Sequence, residues 1–501
     1  MSRNTEDQQN NKEVTSRIDL TAGDTGQDKT RKFFSVSELR HELGLPLVVI
    51  RRLMIWGEIA VTKTVDGTLQ VSESEIIRVK DLIKNPWTKA RLFLRTLGPG
   101  LITGASDDDP SGIATYSSVG AQFGYALLWM AVWILPLMLA VQESCARIGI
   151  VTNKGLAKVL TKHYRKDLVG IIVFLLVIAN VVNIGADLGA MAASLKLLVP
   201  IEFTVAALFF ALLVIVVELF IPYRFYVSIL KWLTLAVFAY VITGFVIKPD
   251  WITVLREAVT PEVRFQKEYI FAMVAVLGTT ITPYLFFWQT SEEVEDEKIE
   301  LDENKKPPKI LERIARMRTD VSTGMILANV VFFFVIMTTA SVLFKNGITS
   351  IDSAEEAAQA LRPLAGDRAY LLFSLGIIGT GLLAVPILAG SGAYALSELM
   401  HWREGLGEKI KRARAFYVVI VLSILFGLML NFVGINPIKA LYYSAFLNGV
   451  IAVPLLFVIM IVGNDQRIMG AETHPLWVKI FGWLAVAFMA VAVTVSIILQ
   501  F

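Results

Sequence analysis

Residues 98–124 read GPGLITGASDDDPSGIATYSSVGAQFG. The stretch has the apolar flanks of a membrane helix, yet its middle holds three consecutive acids (Asp107, Asp108, Asp109), Pro110 and two glycines, Gly104 and Gly112. Hydrocarbon cannot hydrogen-bond a freed N–H or C=O, so irregular backbone at membrane depth survives only where protein or a water-filled cavity satisfies it. A carboxylate there costs about 3 kcal/mol on insertion scales, which marks it for function. A second stretch repeats the anomaly. Residues 272–297 read AMVAVLGTTITPYLFFWQTSEEVEDE, interrupted by Gly278, a run of threonines and Pro283. One glycine–proline break also fits a simple kink. Two interrupted spans at corresponding positions of two halves point instead to a transport site, and the three carboxylates beside one break set it apart from a kink.

The rest of the chain fits that setting. Of its 501 residues, 55% are hydrophobic and 18% charged, against about 25% charged in a soluble globular protein. Mean hydropathy is +0.60. Beyond residue 96 almost every charge sits in short clusters between long apolar runs. A soluble enzyme, a secreted disulfide scaffold and a disordered chain are excluded. The net charge of +3 points to no nucleic-acid partner, and the single cysteine, Cys145, excludes an intrachain disulfide framework or a thiolate metal cluster. The first residues lack an apolar core, so no cleavable signal is expected.

Eleven candidate spans of about 20 residues fall near 97–121, 123–147, 168–196, 203–221, 225–247, 268–291, 322–344, 369–396, 415–433, 437–462 and 476–499. The expected class is an all-α membrane protein. Alternate loops are rich in Lys and Arg: Arg147 to Lys166, Lys298 to Arg318, and Arg403 to Arg414. The loop from Lys248 to Glu268 balances its bases with Asp250, Glu257 and Glu262. By the positive-inside rule the N-terminus is cytoplasmic and, with an odd count, the C-terminus outside a cell membrane crossed many times. Residues 350–364 (SIDSAEEAAQALRPL) suggest a short surface helix.

Ahead of the spans, residues 1–32 suggest a disordered tail, 33–83 a small cytosolic domain, 84–96 a linker and 97–501 the membrane domain. Within 33–83, helical spacing near Ser35, a second helix over Val48–Trp56 ending at Gly57, a hairpin turn at Asp66-Gly67 and a third helix over Ser72–Ile83 follow in order. This pattern resembles the winged helix-turn-helix of excisionase and MerR-type proteins. A membrane tether and no strong basic face favour a docking or regulatory cap over DNA binding.

Other intramembrane polar residues have blander readings. Glu143 pairs with Arg147 at i,i+4, Glu218 reaches the interface, and the acidic run Glu292–Glu297 forms a solvated face opposite the Lys305–Arg318 cluster. Trp129, Trp133, Trp232, Trp251, Trp402 and Trp477 read as interface anchors. Asn448-Gly449 interrupts the tenth span, where it either lines the ion path or serves packing. Asp107 and Asp108 either face water at the end of a half-helix or act as caps. Asp109, directly before the proline, belongs in the cavity.

The run from Gly98 to Ala157 (GPG, DP, QFGY, LLW, QE, AR, GIVT), with Thr282-Pro283 and the pair Arg318 and Asp320, resembles the NRAMP divalent-metal transporters. The resemblance covers residues 95–500. It implies a LeuT-like fold of two inverted five-span repeats plus an eleventh span, a transporter and not an enzyme, with the metal as substrate and no cofactor. The family motif Asp-Pro-Gly-Asn stands here as Asp109-Pro110-Ser111-Gly112, and Met-Pro-His as Thr282-Pro283-Tyr284. By the resemblance, Asp109, Gly112, Thr279, Thr282 and Asn448 line the metal site. A second family histidine falls near Gln289, and the third-span acidic carriers near Asn183 and Ala186, with Asp187 adjacent.

Replacing a thioether and an amide by hydroxyl and backbone makes the site harder and roomier. Oxygen ligands suit Mg²⁺, Ca²⁺ and Mn²⁺, and Mg²⁺ keeps several waters. The expected substrate is Mg²⁺, with Mn²⁺ also carried, as in the NRAMP-related magnesium transporters. The four histidines, His41, His163, His401 and His474, all lie outside the spans, so flux uncoupled from protons is expected, although Asp187 keeps a proton route open. A divalent ion moving inward gains about 4.6 kcal/mol per 100 mV. The rivals are a proton-coupled transition-metal symporter, a membrane-embedded sensor reporting through its N-terminal domain, and a sodium-coupled amino-acid transporter, whose substrate carboxylate Asp109 repels.

Overall fold

The structure is a computed structural model and describes residues 33–43, 59–63, 69–84, 99–221, 234–302 and 310–499. The chain divides into two compact units, Met1–Thr96 and Leu97–Phe501.

In the first unit, β1 (Phe33–Ser35) and β2 (Thr62–Lys63) both pair antiparallel with β3 (Leu69–Ser72), in the order β1-β3-β2. Phe33 stands opposite Ser72, and Thr62 opposite Gln70. Two helices, α1 (Val36–Leu43) and α2 (Glu73–Lys84), bury Leu39, Leu43, Ile76 and Val79 with Val71 of β3. Glu75 fastens α2 to the sheet edge by accepting from the Ala60 N–H at 2.8 Å. Its ion pair with Arg78 holds its carboxyl below the usual range. The expected second helix at Val48–Trp56, the Asp66-Gly67 turn, the tail and nearly all of the linker lie outside the described residues.

In the second unit the first expected span is two helices, α3 (Pro99–Asp107) and α4 (Pro110–Phe123). There follow α5 (Trp129–Thr152), α6 (Leu156–His163), α7 (Lys166–Leu198), α8 (Phe203–Phe220) and α9 (Ala239–Val246). The sixth span is again two, α10 (Lys267–Thr280) and α11 (Pro283–Asp302). Then come α12 (Ile310–Val342), α13 (Ala369–Met400), α14 (Arg414–Leu430), α15 (Pro437–Asn464) and α16 (Leu476–Ile498). Among the described residues, eight helical stretches are long and apolar enough to cross a membrane. The expected spans missing from those eight are the broken first, the fifth, whose start lies outside the described residues, and the ninth, whose helix has 17 residues. The two breaks fall five spans apart, in a fold of two five-span repeats with an eleventh span appended.

Packing fixes the broken helices. α3 lies against α12, where Gly100 and Gly104 meet the backbone at Val321 and Gly324. A Cβ on Gly100 would sit 2.5 Å from the Val321 nitrogen. The Gly100 N–H, an orphan donor of the first helical turn, donates to Asp320 Oδ2 at 2.8 Å. α10 packs on α15, and α4 lies against α12, α15 and α10.

Several local expectations are corrected. α5 starts at Trp129 rather than residue 123, because Gly124 ends α4 with a positive φ of 62° and a turn follows. Glu143 does bond Arg147, at 2.7 Å, but it also takes Arg318 of α12 at 2.9 Å. Glu218 is buried rather than interfacial. The acidic run is not a solvated face: Glu292 and Glu293 are buried, Glu295 accepts from Tyr394 Oη, and Glu297 pairs with Arg313 at 2.7 Å. Trp129 is buried and donates to the Glu262 carbonyl at 3.0 Å. Trp133, Trp402 and Trp477 are exposed, while Trp232 lies outside the described residues. Residues 354–358 form the expected short helix, capped by Ser353, with an alanine face packed inward.

Candidate functional site

Proline and aspartate make the first break. Pro110 lacks an N–H and fits the first turn of a helix, so α4 begins there. Asp109 is its N-cap, in extended conformation, and its Oδ1 accepts from the Gly112 N–H at 2.7 Å and from Ser111 Oγ at 2.6 Å. A carboxylate has about four acceptor positions, so two bonds fix its orientation and leave capacity for a cation. The second break runs through Ile281 and Thr282, between the end of α10 and Pro283. The last carbonyls of α3 and α10 have no intrahelical donors, because each helix stops.

The two breaks meet. Ser111 Oγ lies 3.3 Å from Thr279 Oγ1, and a Cβ on Gly112 would touch that same oxygen at 3.3 Å. Tyr284 donates to the Ser106 carbonyl at 2.8 Å, tying the first turn of α11 to the end of α3. Tyr116 reaches Thr280 at 3.1 Å, and Thr280 in turn donates to Val276. Thr282 Oγ1 is buried with no hydrogen-bond partner. Below the break, Thr103 donates to Gln289, which donates to Glu293 at 2.9 Å.

The site is strongly acidic. Asp107, Asp108 and Asp109 are 1%, 7% and 2% exposed, and Asp187 of α7 is wholly buried. Asp187 lies within electrostatic reach of Asp109. Oδ1 of Asp107, Oδ1 of Asp108, both oxygens of Asp187 and both polar atoms of Asn183 have no hydrogen-bond partner. None of the four carboxylates forms an ion pair with a described basic residue. Among the described residues, no three His, Cys, Asp or Glu side chains converge closely enough to hold a metal alone.

Of the expected lining residues, Asp109, Gly112 and Thr279 are brought together, and Thr282 lies in the facing break. Asn448 is buried on α15, which packs on both α4 and α10, but it makes no hydrogen bond to Asp109 or Thr279. Sequence reasoning missed Ser111 as the link between the breaks, although it stands inside the quoted motif. The spacing Asn183, Asp187, Met191 puts three residues on one face of α7. The Met191 thioether fills the notch left by Gly381, where a Cβ would lie 2.5 Å from its sulfur and 3.3 Å from Pro110.

A family model described as natural resistance-associated macrophage protein-like matches residues 100–499. The divalent metal cation transporter MntH of Klebsiella pneumoniae (strain 342) is 25% identical over 417 residues, 82% of this chain and 95% of its own. The protein of the same name from Bacillus subtilis (strain 168) is 26% identical over 431 residues, 84% and 96% of the two chains. Among solved structures, a manganese transporter of Eremococcus coleocola shares the fold, with a TM-score of 0.65 at 21% identity, covering 81% of this chain and 87% of that one.

Proposed function

The chain belongs to the Nramp family of metal-ion transporters, which are not enzymes and need no cofactor, and from that premise we propose that it imports Mg²⁺, and Mn²⁺ less well, by alternating access without proton coupling. Relatives called divalent metal cation transporters and manganese transporters support a divalent substrate. The observation that carries the preference is the donor set at the breaks: the Asp109 carboxylate, the Thr279 and Thr282 hydroxyls and helix-end carbonyls. These are hard oxygen donors, and hard donors suit Mg²⁺ and Mn²⁺ over thiophilic ions. Asp109 supplies the charge, with Gly112 allowing close approach and Asn448 lining the path from α15. Tyr284 and Gln289 stand where no imidazole can titrate near neutrality, which supports uncoupled flux. The N-terminus is cytoplasmic and the C-terminus outside, by the loop charges.

Uptake of Mg²⁺, Mn²⁺ and Cd²⁺ by reconstituted vesicles carrying an internal pH dye tests this reading. Mg²⁺ entry without acidification supports it. Cd²⁺ and Mn²⁺ entry with acidification and no Mg²⁺ flux overturns it. One observation favours that second reading, a proton-coupled symporter of softer metals: Asp187 within electrostatic reach of Asp109. Residues 33–83 are assigned an accessory role, so deleting 1–83 leaves transport intact; loss of all flux with or without the deletion would favour a sensor.

A further inference from the structure

We propose that the connection between α9 and α10 is an interfacial anchor: its helix, Trp251–Val259, lays an apolar face among lipid acyl chains and, through the Glu262 carbonyl, fixes the start of α10. The helix begins after Asp250, whose carboxylate accepts from the Ile252 N–H at 3.1 Å and from Thr253 Oγ1 at 2.6 Å. It has three sides. Val254 and Ala258 are buried, on a helix packed against α5. Ile252, Leu255 and Val259, at i, i+3 and i+7, make a second side that is exposed, Ile252 by 82%. Thr253, Arg256 and Glu257 make the third, where Arg256 and Glu257 pair at 2.9 Å. Past the helix, Val263 and Phe265 are exposed as well. A contiguous apolar face of this kind marks a contact surface. A helix lying in the interface plane turns such a face to the acyl chains and its polar side to the headgroups.

Lipid covers this face because it continues a lipid-facing surface. Ile242, Phe245 and Val246, at the end of the fifth span, are exposed, and the Phe245 ring lies 5.4 Å from that of Trp251, one residue before Ile252. At the other end of the helix the exposed Trp133 of α5 donates from Nε1 to the Val259 carbonyl at 3.1 Å. Tryptophan, apolar in body and polar at one edge, concentrates at the membrane–water interface. The anchor then reaches α10. The Glu262 carbonyl accepts from Trp129 Nε1 at 3.0 Å and from Tyr269 Oη at 2.5 Å. Tyr269 is wholly buried in the first turn of α10, whose far end carries Thr279. With 14 residues, α10 falls short of the ~20 that reach both faces of a bilayer. A half-helix has one interface to hold it, and the anchor supplies that fixed point.

The test uses the full chain in vesicles and does not depend on which ion is carried. The single native cysteine, Cys145, is buried, so a bimane fluorophore attaches selectively to Ile252→Cys, Leu255→Cys, Phe265→Cys and, on the polar side, Thr260→Cys. Nitroxide carried on the lipid acyl chains is expected to quench the label at 252, 255 and 265 severalfold more than at 260, and aqueous iodide to show the reverse order. Iodide quenching at 252 and 265 equal to that at 260 puts the face in water and overturns the proposal. Shielding from both quenchers means that protein, such as a second copy of this chain, covers the face, and overturns it too. The link to α10 is read by amide hydrogen exchange, which reports local opening. In the double variant Ile252→Ser, Leu255→Ser, exchange over residues 267–274 is expected to speed severalfold while α16 exchanges as in wild type. A wild-type rate over 267–274, or equal acceleration in α16, contradicts the anchoring of α10. Should the double variant not fold, the quenching pattern of the four cysteine variants still decides.

Discussion

Gly278→Ala is the sharpest packing test of how the second break is held. Gly278 stands directly before Thr279, where α10 crosses α15. A Cβ there would lie 2.7 Å from the Gly449 Cα and closer still to the Ala445 carbonyl oxygen and the Gly449 nitrogen. Ordinary contact begins at 3.4 Å, and both obstacles are backbone, so no side chain can rotate away. The helices must part by about 1 Å or more at that crossing, since the Ala445 oxygen is the nearest obstacle, and overpacking of this kind costs about 1–3 kcal/mol. The displacement falls on Thr279, which touches Ser111 across the site. A shift of about 1 Å at a positioned group can cost on the order of a hundredfold in function. Expected, then, is a lowered melting temperature in detergent and Mn²⁺ uptake cut by about one to two orders of magnitude. Gly170→Ala on α7, with nothing within 4 Å of its added methyl, is the control and should match wild type. If Gly278→Ala transports and melts like wild type, the close α10–α15 crossing does not hold the site.

Glu143→Gln should destabilise by about 3–5 kcal/mol, since it strips the buried Arg147 and the half-exposed Arg318 of their shared carboxylate; Arg318→Gln should cost less, and equal melting temperatures would contradict the bridge. His474, in the loop before α16, is pushed down to about 3 by burial and by the neighbouring Arg147 and Lys479. Its neutral form belongs to the folded state, so stability falls as pH drops below about 6.5, by about 2 kcal/mol at pH 5. His474→Leu should flatten the melting curve between pH 7 and pH 5, and an unflattened one removes His474 from the account. Thr282→Met replaces the orphaned hydroxyl with a thioether and should shift uptake from Mg²⁺ toward Cd²⁺ by about tenfold; an unshifted preference means the side chain at 282 does not face the ion.

The architecture was legible because its two departures from helical chemistry were local. Asp109-Pro110 and Thr282-Pro283 break the backbone where they stand, and no tertiary contact is needed to see it. The apolar runs then set the spans by length. What the sequence hid were the partners. Ser111 bonds Thr279 from 168 residues away, and Glu143 reaches Arg318 across 175. Glu218 and Glu292–Glu293 were misread for the same reason: a charge near a span end is interfacial by default, and only packing shows that it is buried. The start of α5 shifted because the left-handed turn at Gly124 depends on backbone geometry that composition does not encode.

The central claim is one carboxylate at the meeting of two broken helices. Mg²⁺ uptake into reconstituted vesicles by wild type and by Asp109→Ala measures it. The account predicts flux in the wild type and none above empty vesicles in the variant, with both proteins equally folded; Mg²⁺ flux retained by Asp109→Ala would contradict it.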